Sequence, residues 1–379
     1  MKAWLVVSSY LPNPGGLQTV TAQLAIELQK RGVNVSVLTQ RYPRTLAESE
    51  RIDGVQVQRL FFLTPRLRDL LRGRIALFLA GLIFFPLTLV RLLWKIARAK
   101  PDVVNLHFVG APAFFLLIAR TLIPFRFIVS LHGDDVEGLP RGTALDRWVF
   151  RATLRRADAV TSCSRYLLDR AIACEPAIAR RARVIHNGID LNFPFPLGEG
   201  DQGDKFLCVG RMVPKKGFDI LLRALSQCHH AGHPLRLRLI GDGPERCALE
   251  NLARDLGLHE WIEFRGSQKH DEIIRAMASS RAVIIPSRQE PFGLVALEAM
   301  AVGKPVIAAR VGGLPEVLAD ADAILVPPDD PAALAHAIDD LTARLERDPA
   351  FGARNRAIAA RFSVARMTDA YLSIYRAES

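Results

Sequence analysis

The sequence predicts an α/β protein built as two Rossmann-like domains facing a central cleft. Three observations carry this expectation. Apolar, strand-like runs alternate with helix-like stretches along nearly the whole chain, which is the pattern of parallel sheets covered by helices on both faces. A segment rich in Pro, Gly and acids, LNFPFPLGEGDQGD at residues 191–204, divides the alternation into two series. The length, 379 residues of which 50% are hydrophobic, suffices for two cores of ordinary size. The expected organisation is a first domain over 1–190, a linker over 191–204 and a second domain over 205–362.

The first series opens with AWLVVSS, TVTAQLAIELQKRG and VNVSVLT, reading strand, helix, strand. Its beginning, MKAWLVVSSYLPNPGG, has one lysine and an apolar run too short for a signal-peptide core, so it reads as a buried strand. In the following turn Gly15 and Gly16 let the backbone approach a ligand closely. Residues 75–90, IALFLAGLIFFPLTLV, carry no charge and are bracketed by Arg72, Arg74, Arg91, Lys95 and Arg98. As a helix they would reach about 24 Å, short of a ~30 Å hydrocarbon core, and Pro86 interrupts them. The expectation is a buried helix or an interfacial segment rather than a simple membrane span. DVVNLHF, FRFIVSLHG, ADAVTSCS and ARVIHNGI read as the remaining strands of the first domain. The second series runs KFLCVGR, FDILLRALSQCHHAG, LRLRLIGDG, WIEFRGS, RAVIIPS, KPVIAAR and AILVPPD, with no internal repeat.

Charge divides unevenly. Residues 1–190 hold 27 Lys and Arg against 14 Asp and Glu, a net +13, while the remainder is −2. Ten arginines between Arg141 and Arg183 could meet anionic lipid headgroups or a pyrophosphate-linked acceptor, or could simply form a solvated helix face. Nucleic acid is disfavoured as a partner, because no aromatic-interleaved basic motif of a nucleic-acid-binding module accompanies the arginines. Five cysteines with no C-x-x-C spacing suggest neither a disulfide framework nor a zinc site, and fit a reducing compartment.

The most informative stretch is RQEPFGLVALEAMAVGKPVI, residues 288–307, which sets Glu290 and Glu298 eight positions apart. Pro291 and Gly293 break the chain after Glu290, whereas residues 294–302 have the composition of a buried helix closed by Gly303. Glu290 is thus expected in a loop and Glu298 about two turns inside the helix. Amides near Phe292, Gly293 and Leu294 would point past the helix N-terminus, a natural seat for an anion. Glutamates on solvated helix faces are common, but the neighbours of Glu298 are apolar on every side, and a carboxylate in that setting needs partners.

Other segments could join this site. VGRMVPKKGFDILLRAL, residues 209–225, follows a strand and supplies Arg211, Lys215 and Lys216, which are placed to neutralise a diphosphate; the plain alternative is a basic turn. SLHGDDVEG, residues 130–138, ends a strand and offers His132, Asp134 and Asp135, although a lone His there is commonly a packing or capping residue. IGDGPE, residues 240–245, fails as a dinucleotide fingerprint because Arg246 stands where the third glycine belongs. Asp320 and Asp322 form a D-x-D pair, but they follow GGLPEVLA rather than a strand and read as a solvated loop.

On these motifs the chain resembles, from end to end, the retaining glycosyltransferases of family 4, which have the two-domain GT-B fold. Glu290 and Glu298 meet the family's E-x7-E signature, and GKPVIAARVGGLPEVL, residues 303–318, continues the likeness. The resemblance implies that Glu290 touches hydroxyls of the transferred sugar and that the amides of Phe292, Gly293 and Leu294 hold sugar and phosphate. It implies that Glu298 accepts hydrogen bonds from the ribose diol, and that Arg211 and Lys216 grip the phosphates, with Lys215 a solvated neighbour. Gly16 would meet the phosphates on closure, His132 the sugar or leaving phosphate, and Gly266 and Ser267 the base. Gln18, His107 and Asp134 fall on the acceptor side, and Asn187 shapes a nearby loop. Glu290, His132, Arg211 and Lys216 are the implied catalytic set. The last helix, over 363–379, would pack back on the first domain.

The implied reaction moves a sugar from a UDP- or GDP-linked donor to an acceptor hydroxyl on a lipid-linked or membrane-borne glycan, in envelope polysaccharide or glycolipid synthesis. No metal or other cofactor is expected, since Arg211, Lys216 and the helix N-terminus would oppose the leaving charge. The expected setting is cytoplasmic, peripheral on the inner face of the cytoplasmic membrane, as a monomer or weak dimer. A nicotinamide-dependent oxidoreductase would need a glycine fingerprint that is not present. A non-catalytic binding module would have lost one of Arg211, Lys216, Glu290 or Glu298, and all four remain. A GT-B epimerase or phosphorylase is the alternative enzyme.

Overall fold

In the computed structural model, which describes residues 1–13, 15–64, 73–191 and 204–377, the chain forms two compact units. Unit 1 comprises Met1–Gly188 with Val364–Ser379, and unit 2 is Ile189–Ser363. Most of the expected linker, 192–203, lies outside the described residues.

Unit 1 contains β1 (Lys2–Val7), α1 (Gly16–Lys30), β2 (Asn34–Gln40), β3 (Ser49–Ile52), β4 (Val55–Leu60), α2 (Ile75–Ala99) and β5 (Val103–His107). It continues through α3 (Ala111–Leu122), β6 (Arg126–Leu131), α4 (Asp134–Glu137), α5 (Ala144–Arg156), β7 (Ala159–Ser162), α6 (Arg165–Cys174) and β8 (Ala182–Val184). The strands form one sheet in the order β3-β4-β2-β1-β5-β6-β7-β8, parallel except for β3. Every residue of β5 and β7 is buried, as expected where helices cover both faces of a parallel sheet. Helix starts follow local chemistry: Thr143 and Asp146 form a reciprocal capping box on α5, and the Ser164 hydroxyl accepts the Leu167 amide on α6.

Two features depart from the sequence-derived series. The β3–β4 hairpin is an addition, closed by Asp53-Gly54 with both residues at positive φ, the geometry of a tight two-residue turn. Helix α2 also differs: it runs for 25 residues, straight through Pro86 and on to Ala99, instead of ending near Val90. Nor is it a buried core helix. Gly81, Thr88, Leu92 and Ile96 form a narrow buried seam, whereas Ile83, Leu87, Val90 and Trp94 on the other side are 54–64% exposed.

Unit 2 holds β9 (Lys205–Val209), α7 (Phe218–His230), β10 (Arg236–Ile240), α8 (Arg246–Asp255), β11 (Ile262–Phe264), α9 (His270–Ala278) and β12 (Val283–Ile285). Then come α10 (Leu294–Ala301), β13 (Val306–Ala309), α11 (Leu314–Val317), β14 (Ala323–Val326), α12 (Pro331–Arg347) and α13 (Asn355–Ala359). Its six strands are all parallel, ordered β11-β10-β9-β12-β13-β14. Phe206, Leu237 and Ile284 of the strands pack with Phe218, Leu221 and Leu225 of α7 and Leu334, Ile338 and Leu341 of α12 in one core. Because the strands are parallel, every loop that follows one emerges at the same edge of the sheet, and these loops build the candidate site.

The final helix, α14 (Val364–Arg376), belongs to unit 1. Two of its tyrosines reach the buried polar groups of the sheet. Asn105 Nδ2 donates to the Tyr375 hydroxyl at 2.8 Å, and the Tyr371 hydroxyl lies 3.2 Å from Ser130 Oγ. Ser130 Oγ in turn donates to Asn105 Oδ1, and Thr161 Oγ1 donates to Ser130 Oγ. Polar residues this deep are tolerated because they satisfy one another. Tyr375→Phe would leave the Asn105 amide unpaired, a loss of about 1–3 kcal/mol. Chemical denaturation should register that decrease, and an unchanged midpoint would mean that Asn105 finds another partner.

Candidate functional site

In unit 2 the loops after β9 and β12 are bolted together. After β9 the chain makes a short turn through Pro214–Lys216, and Gly217, at φ 65°, passes so close to the Pro286 carbonyl that no side chain would fit. The bolt is Arg288. Its guanidinium donates to both carboxylate oxygens of Asp219, at 2.8 and 2.7 Å, and to the Pro214 carbonyl at 2.7 Å, while its backbone N–H donates to the Lys215 carbonyl. Burial would raise the Asp219 carboxyl, but the bonds and charge of Arg288 outweigh it and hold that carboxyl below its ordinary value. The arginine is held above its own ordinary value by the same bonds.

This frame brings Lys216 and Glu290 together. Lys216 Nζ donates to Glu290 Oε2 at 2.5 Å, and the Ser287 hydroxyl donates to the same oxygen at 3.4 Å. The Glu290 backbone is clamped from the loop after β13: Gly313 N–H donates to its carbonyl, and Gly312, at φ 58°, leaves no room for a Cβ against it. The loops after β9, β10 and β11 are likewise joined, since Met212 N–H donates to the Asp242 carbonyl and Gly241 N–H to that of Gly266. Gly241 and Gly243 are therefore required by close approach to Gly210 and Met212. Gly266 and Ser267 sit in the loop after β11, with Ser267 exposed. Arg211 is exposed beside this cluster in sequence, while Lys215 is half-buried rather than fully solvated.

Helix α10 begins at Leu294 with Gly293 at φ 107° as its N-cap, so the first-turn amides have no acceptor within the helix. Glu298 is its fifth residue, just over one turn in rather than two. The helix is not buried all round either. Leu294, Val295 and Glu298 make one partly open stripe, while Ala296, Leu297, Ala299, Met300 and Ala301 are buried. Burial pushes the Glu298 carboxyl up to about 7, and His270 Nδ1 approaches its Oε1 at 3.7 Å. The Phe292 side chain is buried against Phe362, which leaves only its backbone for a ligand.

Asp320 is exposed, as expected of a solvated loop, whereas Asp322 is buried and structural. Its carboxylate takes the Arg354 guanidinium and the Gly352 amide, and Asp320 pairs with Arg361. Among the described residues no group of three or more His, Cys, Asp or Glu is arranged to hold a metal ion.

In unit 1 the polar groups lie at the corresponding sheet edge. Gly16 is the first residue of α1, and the Gln18 side chain folds back toward Gly15. His107 ends β5 and is fully buried, which removes it as an acceptor contact. Its Nδ1 instead meets His132 Nε2 at 3.0 Å, with the rings stacked at 5.2 Å. Burial holds both imidazoles below their ordinary value, with His132 near 4. Asp134 is exposed at the start of α4, whereas its neighbour Asp135 is buried and organises the loop. Asp135 accepts the backbone N–H groups of Gly133, His132 and Val109, and burial raises its carboxyl to about 6 despite those bonds. Buried Asn187 lies just after β8.

Comparison with known proteins brings the two halves under related descriptions. Residues 14–193 match Glycosyltransferase Family 4, and residues 191–357 match Glycosyl transferases group 1. D-inositol 3-phosphate glycosyltransferase 1 of Catenulispora acidiphila is 32% identical over 98% of this chain and 94% of that protein. A GDP-mannose-dependent alpha-(1-6)-phosphatidylinositol monomannoside mannosyltransferase of Mycolicibacterium smegmatis is 32% identical over 67% of this chain and 71% of its own. Among solved structures, sucrose-phosphate synthase from Thermosynechococcus elongatus matches with a TM-score of 0.79 at 22% identity, over 99% of this chain and 98% of that one. Anabaena HepE in complex with UDP matches with a TM-score of 0.77 at 22% identity, over 99% of each chain. At that identity the likeness speaks for the fold.

Proposed function

Since the chain belongs to glycosyltransferase family 4 and has a GT-B-type fold, we propose that it transfers a sugar, with retention at the anomeric carbon, from a nucleoside diphosphate sugar to a hydroxyl of a membrane-borne acceptor. The observation that carries this reading is the Lys216–Glu290 pair beside the N-terminus of α10. A diphosphate arriving there competes with Glu290 for the lysine and adds the α10 amides as partners. Glu290, released, can take sugar hydroxyls instead. Breaking the anomeric C–O bond moves negative charge onto the phosphate, which Lys216, Arg211 and the amides oppose without a metal ion. The resemblance assigns His132 of unit 1 to the sugar or leaving phosphate, and a neutral imidazole N–H suits an oxygen that gains charge. A relative named for GDP-mannose and a fold neighbour holding UDP support a UDP- or GDP-linked donor.

The membrane setting rests on α2. By length and composition its Phe78–Ala99 portion could cross a bilayer, but β4 before it and β5 after it lie in the same sheet. A single crossing would deliver them to opposite sides. The helix is therefore assigned to the surface of the bilayer, apolar face down. It contains no acidic residue, and Arg91 and Arg98 are exposed near its C-terminal third, so an anionic lipid surface complements it. A cytoplasmic, inner-face location is the setting we propose, supported by that surface and by five cysteines with no C-x-x-C spacing.

Four outcomes test this. Lys216→Ala should lower turnover at least about tenfold, the worth of one charge-assisted phosphate contact at about 1.5–3 kcal/mol, and activity should survive EDTA. Near-wild-type turnover would remove Lys216 from the site, and loss on chelation restored by Mg²⁺ would overturn the metal-free reading.

Donor binding should depend on pH through Glu298. With its carboxyl near 7, the ionised fraction that can accept two ribose hydroxyls shrinks as pH falls below about 7. The donor KM should rise accordingly between pH 7 and 5.5, and Glu298→Gln should flatten the profile at a uniformly high KM. A KM independent of pH in the native protein would detach Glu298 from the ribose.

Co-sedimentation with anionic vesicles should exceed that with neutral ones and weaken as salt shortens the Debye length below ~8 Å. Ile83→Asp combined with Leu87→Asp, both at exposed positions, should abolish it while leaving the fold intact. Equal failure of the native protein on both vesicle types would refute the assignment.

A further inference from the structure

The His107–His132 contact constrains where protons sit. His107 lies in the sheet at the end of β5, in register with Val7 on one side and Ser130 on the other, and cannot reach a ligand. Its ring also rests against Tyr371, 5.8 Å between centroids, and Tyr371 is held by Ser130 and Thr161. Its position is thus fixed from two sides. The buried carboxylate of the same loop, Asp135, spends its oxygens on the backbone N–H groups of Val109, His132 and Gly133, so it gives neither ring a reason to become an imidazolium. Two neutral imidazoles at 3.0 Å share one proton between the facing nitrogens.

That leaves two arrangements. If His132 Nε2–H donated to His107 Nδ1, then His107 would carry its own proton on Nε2, which is buried with no hydrogen-bond partner. A buried donor left unsatisfied is strongly disfavoured, more so than a bare acceptor. The reverse arrangement avoids this.

We propose that His107 is a positioning residue whose Nδ1–H donates to Nε2 of His132 and so holds His132 as the Nδ1–H tautomer. His132 then has its Nε2 occupied and a single N–H left to offer, which is a donor to a sugar hydroxyl or a phosphate oxygen. The proposal rests on the assignment of His132 to the reaction. His107 itself touches no substrate; it decides which end of the His132 ring is the donor.

The test separates the two readings. In protein labelled with ¹⁵N-histidine, long-range ¹H–¹⁵N spectra should show His132 protonated on Nδ1. His107→Phe keeps an aromatic ring but removes the donor, and should shift His132 toward Nε2–H. It should lower kcat at least about tenfold with little change in donor KM. His107→Asn places an amide N–H where Nδ1 stood and should restore both the tautomer and most of the turnover. A wild-type His132 protonated on Nε2, or a tautomer unmoved by His107→Phe, overturns the proposal. Full turnover in His132→Ala would instead remove His132 from the reaction, a failure of the underlying assignment that the spectra would not produce.

Discussion

The candidate donor site depends on Arg288 holding two loops in one place. Lys216 and Glu290 are 74 residues apart, on loops that follow different strands, and their 2.5 Å contact exists only because those loops are locked. Four bonds from Arg288 supply the lock, with Gly217 and Gly312 allowing backbone to meet backbone where any side chain would intrude. The bidentate geometry matters more than the charge. An arginine fork fixes the relative orientation of two segments, which a lysine at that position could not do. Held in this way, Lys216 and Glu290 neutralise each other, and in the proposed function a ligand with both an anion and hydroxyls would offer each a better partner.

Unit 1 solves the same problem with a carboxylate. Asp135 gathers amides from the loops after β5 and β6, so one buried acceptor sets the course of both. Burial raises its carboxyl to about 6, so those amide bonds offset part of the cost of keeping a carboxylate there. Beneath it, Asn105, Ser130, Thr161, Tyr371 and Tyr375 form a closed polar set inside an otherwise apolar sheet. In each unit, then, the loops at the C-terminal edge are fixed by groups that are not themselves expected to touch substrate.

The fold was legible because the strands of parallel sheets are continuous apolar runs, and such runs announce themselves. The β3–β4 hairpin was not read, although Asp53-Gly54 between alternating residues is its signal; a half-exposed edge strand such as β3 carries weaker apolar patterning. The composition of α10 was legible but not its open stripe, since apolar residues at 294 and 295 look the same whether a neighbour covers them or not. Arg288 and Asp135 stood in view beside Glu290 and Asp134, yet nothing local marks them. Their partners lie up to 74 residues away in the chain or are backbone amides, and only the fold brings them together. His107 misled for the converse reason, because a histidine ending a strand looks the same in sequence whether it faces ligand or core.

Helix α2 shows how far composition alone can mislead about a membrane. Sixteen uncharged residues interrupted by proline suggested a short element, either buried or interfacial, and the folded helix is longer and mostly open. Its seam is narrow because Gly81, Thr88, Leu92 and Ile96 recur at four- and seven-residue steps, enough to hold one line of contact against the domain. A core helix would bury a much wider stripe. Leaving Ile83, Leu87, Val90 and Trp94 in water forgoes the hydrophobic free energy of four large side chains, on the order of 1.5–3 kcal/mol each if fully buried. A fold that needed this helix only for its own stability would have turned that face inward. The topology adds a limit: a crossover between two strands of one sheet can lie against a bilayer but cannot pass through it once, so a surface contact is the one membrane arrangement a single passage of this helix leaves to the proposed function.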